Sequence, residues 1–140
     1  VDKIPVNKCL FMVQKEVADR LSASKSTKDY NSLTVFMNYY FEIKKLFNVS
    51  RNVFYPKPNV DSAVILLTKR EKPLVNVKNE EKFFKLIKDS FKYKRKTLKN
   101  NLKSYDLEKI EEILNKHNMN LSARAEAISI EIFADISNNL

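Results

Sequence analysis

The sequence predicts an α/β portion followed by a small all-α domain, and three features carry that expectation. Residues 9–70 hold short apolar or alternating runs of strand length, rich in Val, Ile, Phe and Tyr. Residues 79–140 hold apolar side chains at helical spacing, behind residues suited to capping helices. Between them, 71–78 is charged and contains Pro73, the composition of a linker. The expected organisation is a first part over 1–70, a linker over 71–78 and a helical domain over 79–140.

Cys9 to Lys15 is a continuous apolar run, the pattern of a strand buried on both faces as in a parallel sheet. Glu16 to Ala23 reads as a helix with Val17, Ala18 and Leu21 on one side. Glu16 in its first turn complements the helix dipole. Ser24 to Ser32 is a polar loop, and Asn31 is expected to take a left-handed turn position in a chain without glycine. Leu33 to Phe47, rich in aromatic and β-branched residues, predicts a long or broken strand. Val49 to Tyr55 is a connector and Val60 to Thr68 another strand, so these last two strands should pair antiparallel.

Asn79 then caps a helix whose first turn holds Glu80 and Glu81 and whose buried face is Phe83, Phe84, Ile87 and Phe91. Lys94 to Leu102 predicts a second helical piece, with Leu98 and Leu102 four apart. Asp106 caps a third, facing inward through Leu107, Ile110, Ile113 and Leu114. Ser122 to Ile136 gives a last turn and helix around Ile128, Ile132, Phe133 and Ile136. No internal repeat is present.

Composition excludes several functions. Hydrophobic content of 44% with 31% charged residues is that of a folded domain. The longest apolar runs fall short of a membrane span, and no secretory leader is legible. One cysteine, Cys9, forms no internal disulfide and reads as a small core residue. One histidine, His117, leaves no zinc constellation and suits the carbonyl end of its helix. With zero glycines, neither a dinucleotide fingerprint nor a P-loop can be written on this chain.

The charge is uneven. Residues 71–103 carry 11 basic and four acidic side chains, a net of +7, whereas 104–140 carry three basic and seven acidic, a net of −4. A field so localised suggests a polyanionic partner. Its densest part is Lys92-Tyr93-Lys94-Arg95-Lys96-Thr97-Leu98-Lys99-Asn100, where cations suit phosphates and Tyr93 suits stacking on a loop base.

The other notable stretch is Phe54-Tyr55-Pro56-Lys57-Pro58-Asn59-Val60-Asp61-Ser62. Pro56 and Pro58 fix their own φ and extend the residues before them, so the segment can hold the Phe54 ring in one place. A stiff segment with one presented aromatic suits stacking on a flat base, although local physics alone favours a core Phe on a stiff loop.

Read with Met12-Val13-Gln14-Lys15-Glu16-Val17-Ala18 upstream, Lys94-Arg95-Lys96-Thr97-Leu98-Lys99-Asn100-Asn101-Leu102 downstream and Arg124-Ala125-Glu126 near the end, this stretch resembles the small-subunit ribosomal RNA adenine N6,N6-dimethyltransferase family. The resemblance runs from about Leu10 to Leu140. It implies the C-terminal strands of a class I (Rossmann-like) methyltransferase sheet followed by a small helical domain that engages RNA. The family's S-adenosyl-L-methionine loop and its Asn-Leu/Ile-Pro-Tyr/Phe catalytic motif are expected before Val1. No catalytic residue is therefore expected on this chain, which alone should transfer no methyl group. The cofactor is expected to be held mainly by the absent half.

By resemblance, Phe54 stacks on the target adenine. Gln14, Lys15, Glu16, Pro56 and Pro58 line the cleft, at the carboxyl end of the first strand where open α/β sheets collect ligands. Lys92, Tyr93, Lys94, Arg95, Lys96, Lys99 and Asn100 bind RNA, and no metal is implied. Arg124 and Glu126 are expected to brace helices. Asn38-Tyr39-Tyr40-Phe41 echoes a catalytic motif but lacks proline and is expected inside a strand, with no catalytic role. The implied partner is small-subunit rRNA in an immature small ribosomal subunit, and the implied state a cytoplasmic monomer, an organelle remaining open. Two alternatives stay open: a large-subunit, resistance-type rRNA adenine methyltransferase, and a non-catalytic nucleic-acid-binding relative such as a mitochondrial transcription factor.

Overall fold

A computed structural model describes residues 6–140. Three strands, β1 (Lys8–Gln14), β2 (Phe41–Val49) and β3 (Ser62–Lys69), form one sheet in the order β1-β3-β2. β3 runs antiparallel to both neighbours, with Phe11 opposite Ile65 and Ile43 opposite Leu67. β1 and β2 are thus mutually parallel, and a late antiparallel strand is inserted between them. A register shift between Lys45 and Phe47 marks a bulge in β2. The antiparallel pairing of the last two strands was legible in the sequence.

Helices α1 (Lys15–Leu21) and α2 (Ser32–Tyr40) lie between β1 and β2 in the chain. Ala18 and Leu21 of α1 pack on Ala63 and Ile65, with Val13, Val17, Met37 and Ile43 around them. This small core covers one face of the sheet. On the other face Leu10 and Met12, opposite Leu66 and Val64, are 63% and 56% exposed, and Phe47 beside them is 56% exposed. The expectation that β1 is buried on both faces is corrected: within this chain it is an edge strand with one open face. An apolar run reports that a strand is suited to burial, not which element covers it.

The predicted strand over Leu33 to Phe47 is also corrected. Its first half is α2, and only Phe41 onward is extended. Asn31 begins this helix: its side chain accepts from Thr34 N–H (3.1 Å) and the Thr34 hydroxyl accepts from Asn31 N–H (3.2 Å), a reciprocal capping box. Asn31 has φ −148°, extended rather than left-handed, so its expected turn role is replaced by the N-cap. Val35 and Tyr39, four apart, then turn one helical face into the protein. Asn38 lies on this helix, not in a strand, and its amide donates to Leu21 O and Thr34 O.

The remaining helices are α3 (Glu80–Ser90), α4 (Leu98–Asn101), α5 (Leu107–Lys116) and α6 (Ile130–Asn139). Asn79 and Asp106 cap α3 and α5 by accepting from Lys82 N–H and Lys109 N–H, as their sequences predict. Such caps each contribute about 1 kcal/mol. Phe83, Ile87, Leu98, Leu102, Ile110, Leu114, Ile128, Phe133 and Ile136 make one continuous core. Tyr30, Val35 and Tyr39 join it, so α2 belongs to both halves of the molecule. Lys94 to Thr97 is a turn, which corrects the longer helical piece expected there; helix begins at Leu98.

Candidate nucleic-acid interface

The carboxyl ends of β1 and β2 and the start of β3 meet at one end of the sheet, where Gln14 and Val49 both lie opposite Ser62. The connector between β2 and β3 rises from this end. Ser50 caps a 3-10 turn over Arg51–Val53, and Phe54 follows in extended conformation (φ −103°, ψ 146°). The Tyr55–Pro56 peptide bond is cis.

Arg51 and Asp61 close the base of this connector. Arg51 donates to Asp61 Oδ1 through its backbone N–H (2.9 Å) and its Nε (3.0 Å), and its guanidinium also donates to Asn59 O (2.6 Å). Lys15 N–H donates to Asp61 O (2.9 Å), tying the first turn of α1 to the same residue. The Arg51 backbone N–H, then its guanidinium, hold the Asp61 carboxyl below its ordinary range. Neither residue stands out in the sequence, because ten positions separate them and an Arg–Asp pair carries no pattern. The tell-tale is only that both flank the proline-stiffened stretch.

Gln14, Lys15 and Glu16 line a hollow of about 450 Å³ together with Arg51, Val60 and Asp61. Three expected cleft residues are thus brought together, whereas Phe54, Pro56 and Pro58 sit on the connector beyond that lining. Phe54 is half-buried, Pro58 half-buried and Pro56 exposed. Tyr55 is fully exposed.

A second hollow of about 640 Å³ shares Glu16, Lys28 and Asp29 with the first and is bounded on its far side by Phe91 and Lys94. The two hollows share this wall and make up a groove alongside the loop from Ser24 to Ser32. That loop is pinned rather than loose: Ser26 N–H donates to Glu126 O (2.6 Å), and the buried Tyr30 hydroxyl donates to Ile128 O (3.2 Å). Burial, then the Glu131 charge, push the Tyr30 phenol up to about 12. Lys94 Nζ donates to Lys28 O (3.0 Å), joining the basic turn to the loop. The contribution of Lys28 and Asp29 lies outside what sequence spacing can reveal. The bracing expected of Glu126 is made by its carbonyl, and Arg124 is exposed.

In the basic turn Lys92, Tyr93, Lys94, Arg95, Lys96, Lys99 and Asn100 are all on the surface. Lys92 Nζ lies 5.4 Å from the Tyr93 ring centroid. The turn is rigid at its root: Asn101 Nδ2 donates to Ser90 O (2.7 Å) and Tyr93 O (3.2 Å). Leu98 and Lys99 N–H donate to Ala123 O and Leu121 O. Leu98 and Leu102 are wholly buried beneath it. Anchored cations need less ordering on binding than a free lysine tail would.

A sequence model described as ribosomal RNA adenine dimethylase matches residues 2–140. The chain belongs to that family. It is 46% identical over 145 residues to ribosomal RNA small subunit methyltransferase A of Bacillus cytotoxicus and 48% identical to the protein of the same name from Streptococcus thermophilus. Each alignment covers 99% of this chain and 50% of the relative, so the chain spans about half the length of these curated relatives. A dimethyladenosine transferase from Plasmodium falciparum has a similar structure, with a TM-score of 0.73 at 22% identity, covering 96% of this chain and 57% of that one. The 23S rRNA methyltransferase ErmE gives a TM-score of 0.69 at 24% identity, covering 99% and 57%. These likenesses place the sheet and helices in the class I methyltransferase fold, of which the described residues carry a small sheet and six helices.

Proposed function

We propose that this family member is the C-terminal portion of an S-adenosylmethionine-dependent rRNA adenine N6,N6-dimethyltransferase. Its target would be two adjacent adenines near the 3′ end of small-subunit rRNA, during ribosome assembly in the cytoplasm. The observation that carries the proposal is the alignment of 99% of the chain, at 46–48% identity, with relatives named ribosomal RNA small subunit methyltransferase A. Residues 1–70 then contribute the end of the catalytic sheet, and 79–140 the helical domain that grips RNA. The enzyme acts as a monomer on an immature small subunit.

In this reading the connector presents Phe54 at the ligand end of the sheet, where its ring faces an adenine taken out of its stack. Gln14, Lys15 and Glu16 bound the adjoining hollow, Pro56 and Pro58 stiffen its rim, and the basic turn from Lys92 to Asn100 holds phosphates. The methyl donor supplies an electrophilic methyl group when bound. The described residues do not fit a cofactor site by themselves: the chain has no glycine for a cofactor loop, and its hollow is lined largely by charged side chains. The chain alone with donor and RNA is therefore expected to transfer no methyl group.

The test is binding of the chain to a hairpin from the 3′ end of small-subunit rRNA across a salt series, with Lys94, Arg95 and Lys96 changed together to alanine as comparison. Wild type should show a steep log–log salt slope, and the variant a slope shallower by roughly two to three. Binding that is absent, or identical in the variant, would make the turn a solvated face and remove the reading.

A further inference from the structure

Tyr55 has no role in the groove described above. The residue is 102% exposed, and among the described residues it makes no hydrogen bond or ring contact. A large aromatic left wholly in water gains nothing for the fold, and solitary exposure alone would mean nothing. Here, however, the residue is also held still. Pro56 follows it, Pro58 lies two beyond, and Arg51, Asp61 and Asn59 close the base of its connector through three hydrogen bonds. The connector rises from the end of the sheet that carries Gln14, Lys15 and Glu16.

Burial separates Tyr55 from its neighbour. The chain bends through Phe54, Tyr55 and Pro56, with Phe54 half in the protein and Tyr55 fully out. Two aromatic side chains therefore stand on consecutive residues in different surroundings, with α-carbons about 3.8 Å apart across the trans 54–55 peptide. Lys57, two residues on, is also exposed, so the connector carries a cation close in sequence to the outer ring. An exposed ring on a segment with an exposed cation suits an unpaired nucleobase with its phosphates better than an apolar protein surface.

We propose that Tyr55 is a second stacking platform, which takes the unpaired nucleobase next to the one held against Phe54. This rests on the RNA reading above. Two adjacent bases of a loop would be splayed apart across the 54–55 peptide, one inward and one outward. Such a platform explains why a fully exposed tyrosine stands on the proline-stiffened part of the connector. It also gives an enzyme that modifies two neighbouring bases a place for the one that is waiting.

The experiment uses the chain and an RNA hairpin whose loop holds two adjacent adenines, with 2-aminopurine replacing one or the other. Tyr55→Ala should weaken binding roughly tenfold, within the range that single base–aromatic stacks span. It should also abolish the fluorescence change of the probe at one loop position only. Phe54→Ala should abolish the change at the other position, and Tyr55→Phe should behave as wild type, because the ring and not the hydroxyl does the stacking. If Tyr55→Ala keeps wild-type affinity and both probe signals while the Lys94, Arg95, Lys96 variant still weakens binding, the platform is wrong and the RNA reading stands. If wild type does not bind the hairpin at all, both fall together. A Tyr55→Ala variant that loses affinity with both probe signals unchanged would also overturn the platform, since no base would then be sensing the ring.

Discussion

The two halves of this chain close themselves to different degrees. In the helical half, Phe83, Leu98, Leu102, Ile110, Leu114, Ile128, Phe133 and Ile136 reach zero exposure in one continuous core. In the sheet half the buried cluster among the described residues is smaller, Ala18, Leu21, Ala63 and Ile65, and Leu10, Met12 and Phe47 face solvent on the opposite side. Helices satisfy their backbone locally and need only one apolar stripe covered, whereas a sheet of three strands has two faces and two edges to cover. The proposed function divides along the same line: the half with the larger core carries the anchored basic turn, and the half with the open face carries the connector that would meet a base.

The largest test of that difference is a cavity in each core. Phe133→Ala removes a wholly buried ring packed 6.1 Å from Phe91 and should cost about 3–5 kcal/mol in chemical denaturation. Ile65→Ala, in the smaller cluster beside an open face, should cost about 2 kcal/mol, at the low end for such truncations. Equal losses would mean that the sheet half is as well closed as the helical half, and the contrast would be lost.

A smaller effect is expected where the halves are joined. Glu80, in the first turn of α3, accepts from the hydroxyls of Tyr39 (3.1 Å) and Tyr40 (2.8 Å) at the end of α2. The chain just after β3 is laced to the same helix end, since Arg70 Nε donates to Asn38 O and Leu74 N–H to Tyr39 O. Burial first, then the bond to Glu80 and its charge, raise the Tyr39 phenol above its ordinary range. Glu80→Ala should cost about 1–2 kcal/mol, because the Tyr39 ring is buried and its hydroxyl loses an acceptor. In an ultraviolet titration the Tyr39 phenolate should appear at lower pH than in wild type yet still above the ordinary tyrosine value, as burial persists. An unchanged midpoint and titration would show that Glu80 does not couple the halves.

The same contrast governs what could be read from the sequence. The helical half was legible nearly element by element, because caps such as Asn79 and Asp106 and stripes such as Phe83, Ile87 and Ile110, Leu114 are local signals. The sheet half misled at two places. Val35, Phe36, Tyr39 and Tyr40 carry strand propensity, but Tyr39 and Val35 find a helical core to fill, and tertiary burial outweighs intrinsic preference. The capping box that starts this helix uses Asn31 and Thr34, not the Ser/Thr-to-Glu pattern that announces one. For the interface, motif matches indicated Phe54, the Gln14–Glu16 corner and the basic turn. The groove that joins Glu16 to Lys94 was not visible, because it depends on Lys28 O and Glu126 O, backbone atoms that carry no side-chain signature.

The finest test concerns the connector alone. Asp61 carries the two Arg51 bonds and, with its carboxyl held low, contributes to connector order wherever it is charged. A carboxyl whose folded pKa is depressed stabilises fully above its unfolded value and loses that contribution as pH falls through the folded one. The amide resonances of Asn52 and Phe54 should therefore hold constant from pH 7 down to about 4 and shift only below it. Asp61→Asn keeps one acceptor oxygen but removes the charge, and at pH 7 it should already show much of the low-pH pattern, without a global loss of stability. The Tyr55 platform should loosen with it, so hairpin affinity falls less than in Tyr55→Ala but in the same direction. Amides that titrate at the ordinary carboxylate value, or an Asp61→Asn spectrum identical to wild type, would mean that the prolines alone hold the connector and Arg51 is a bystander.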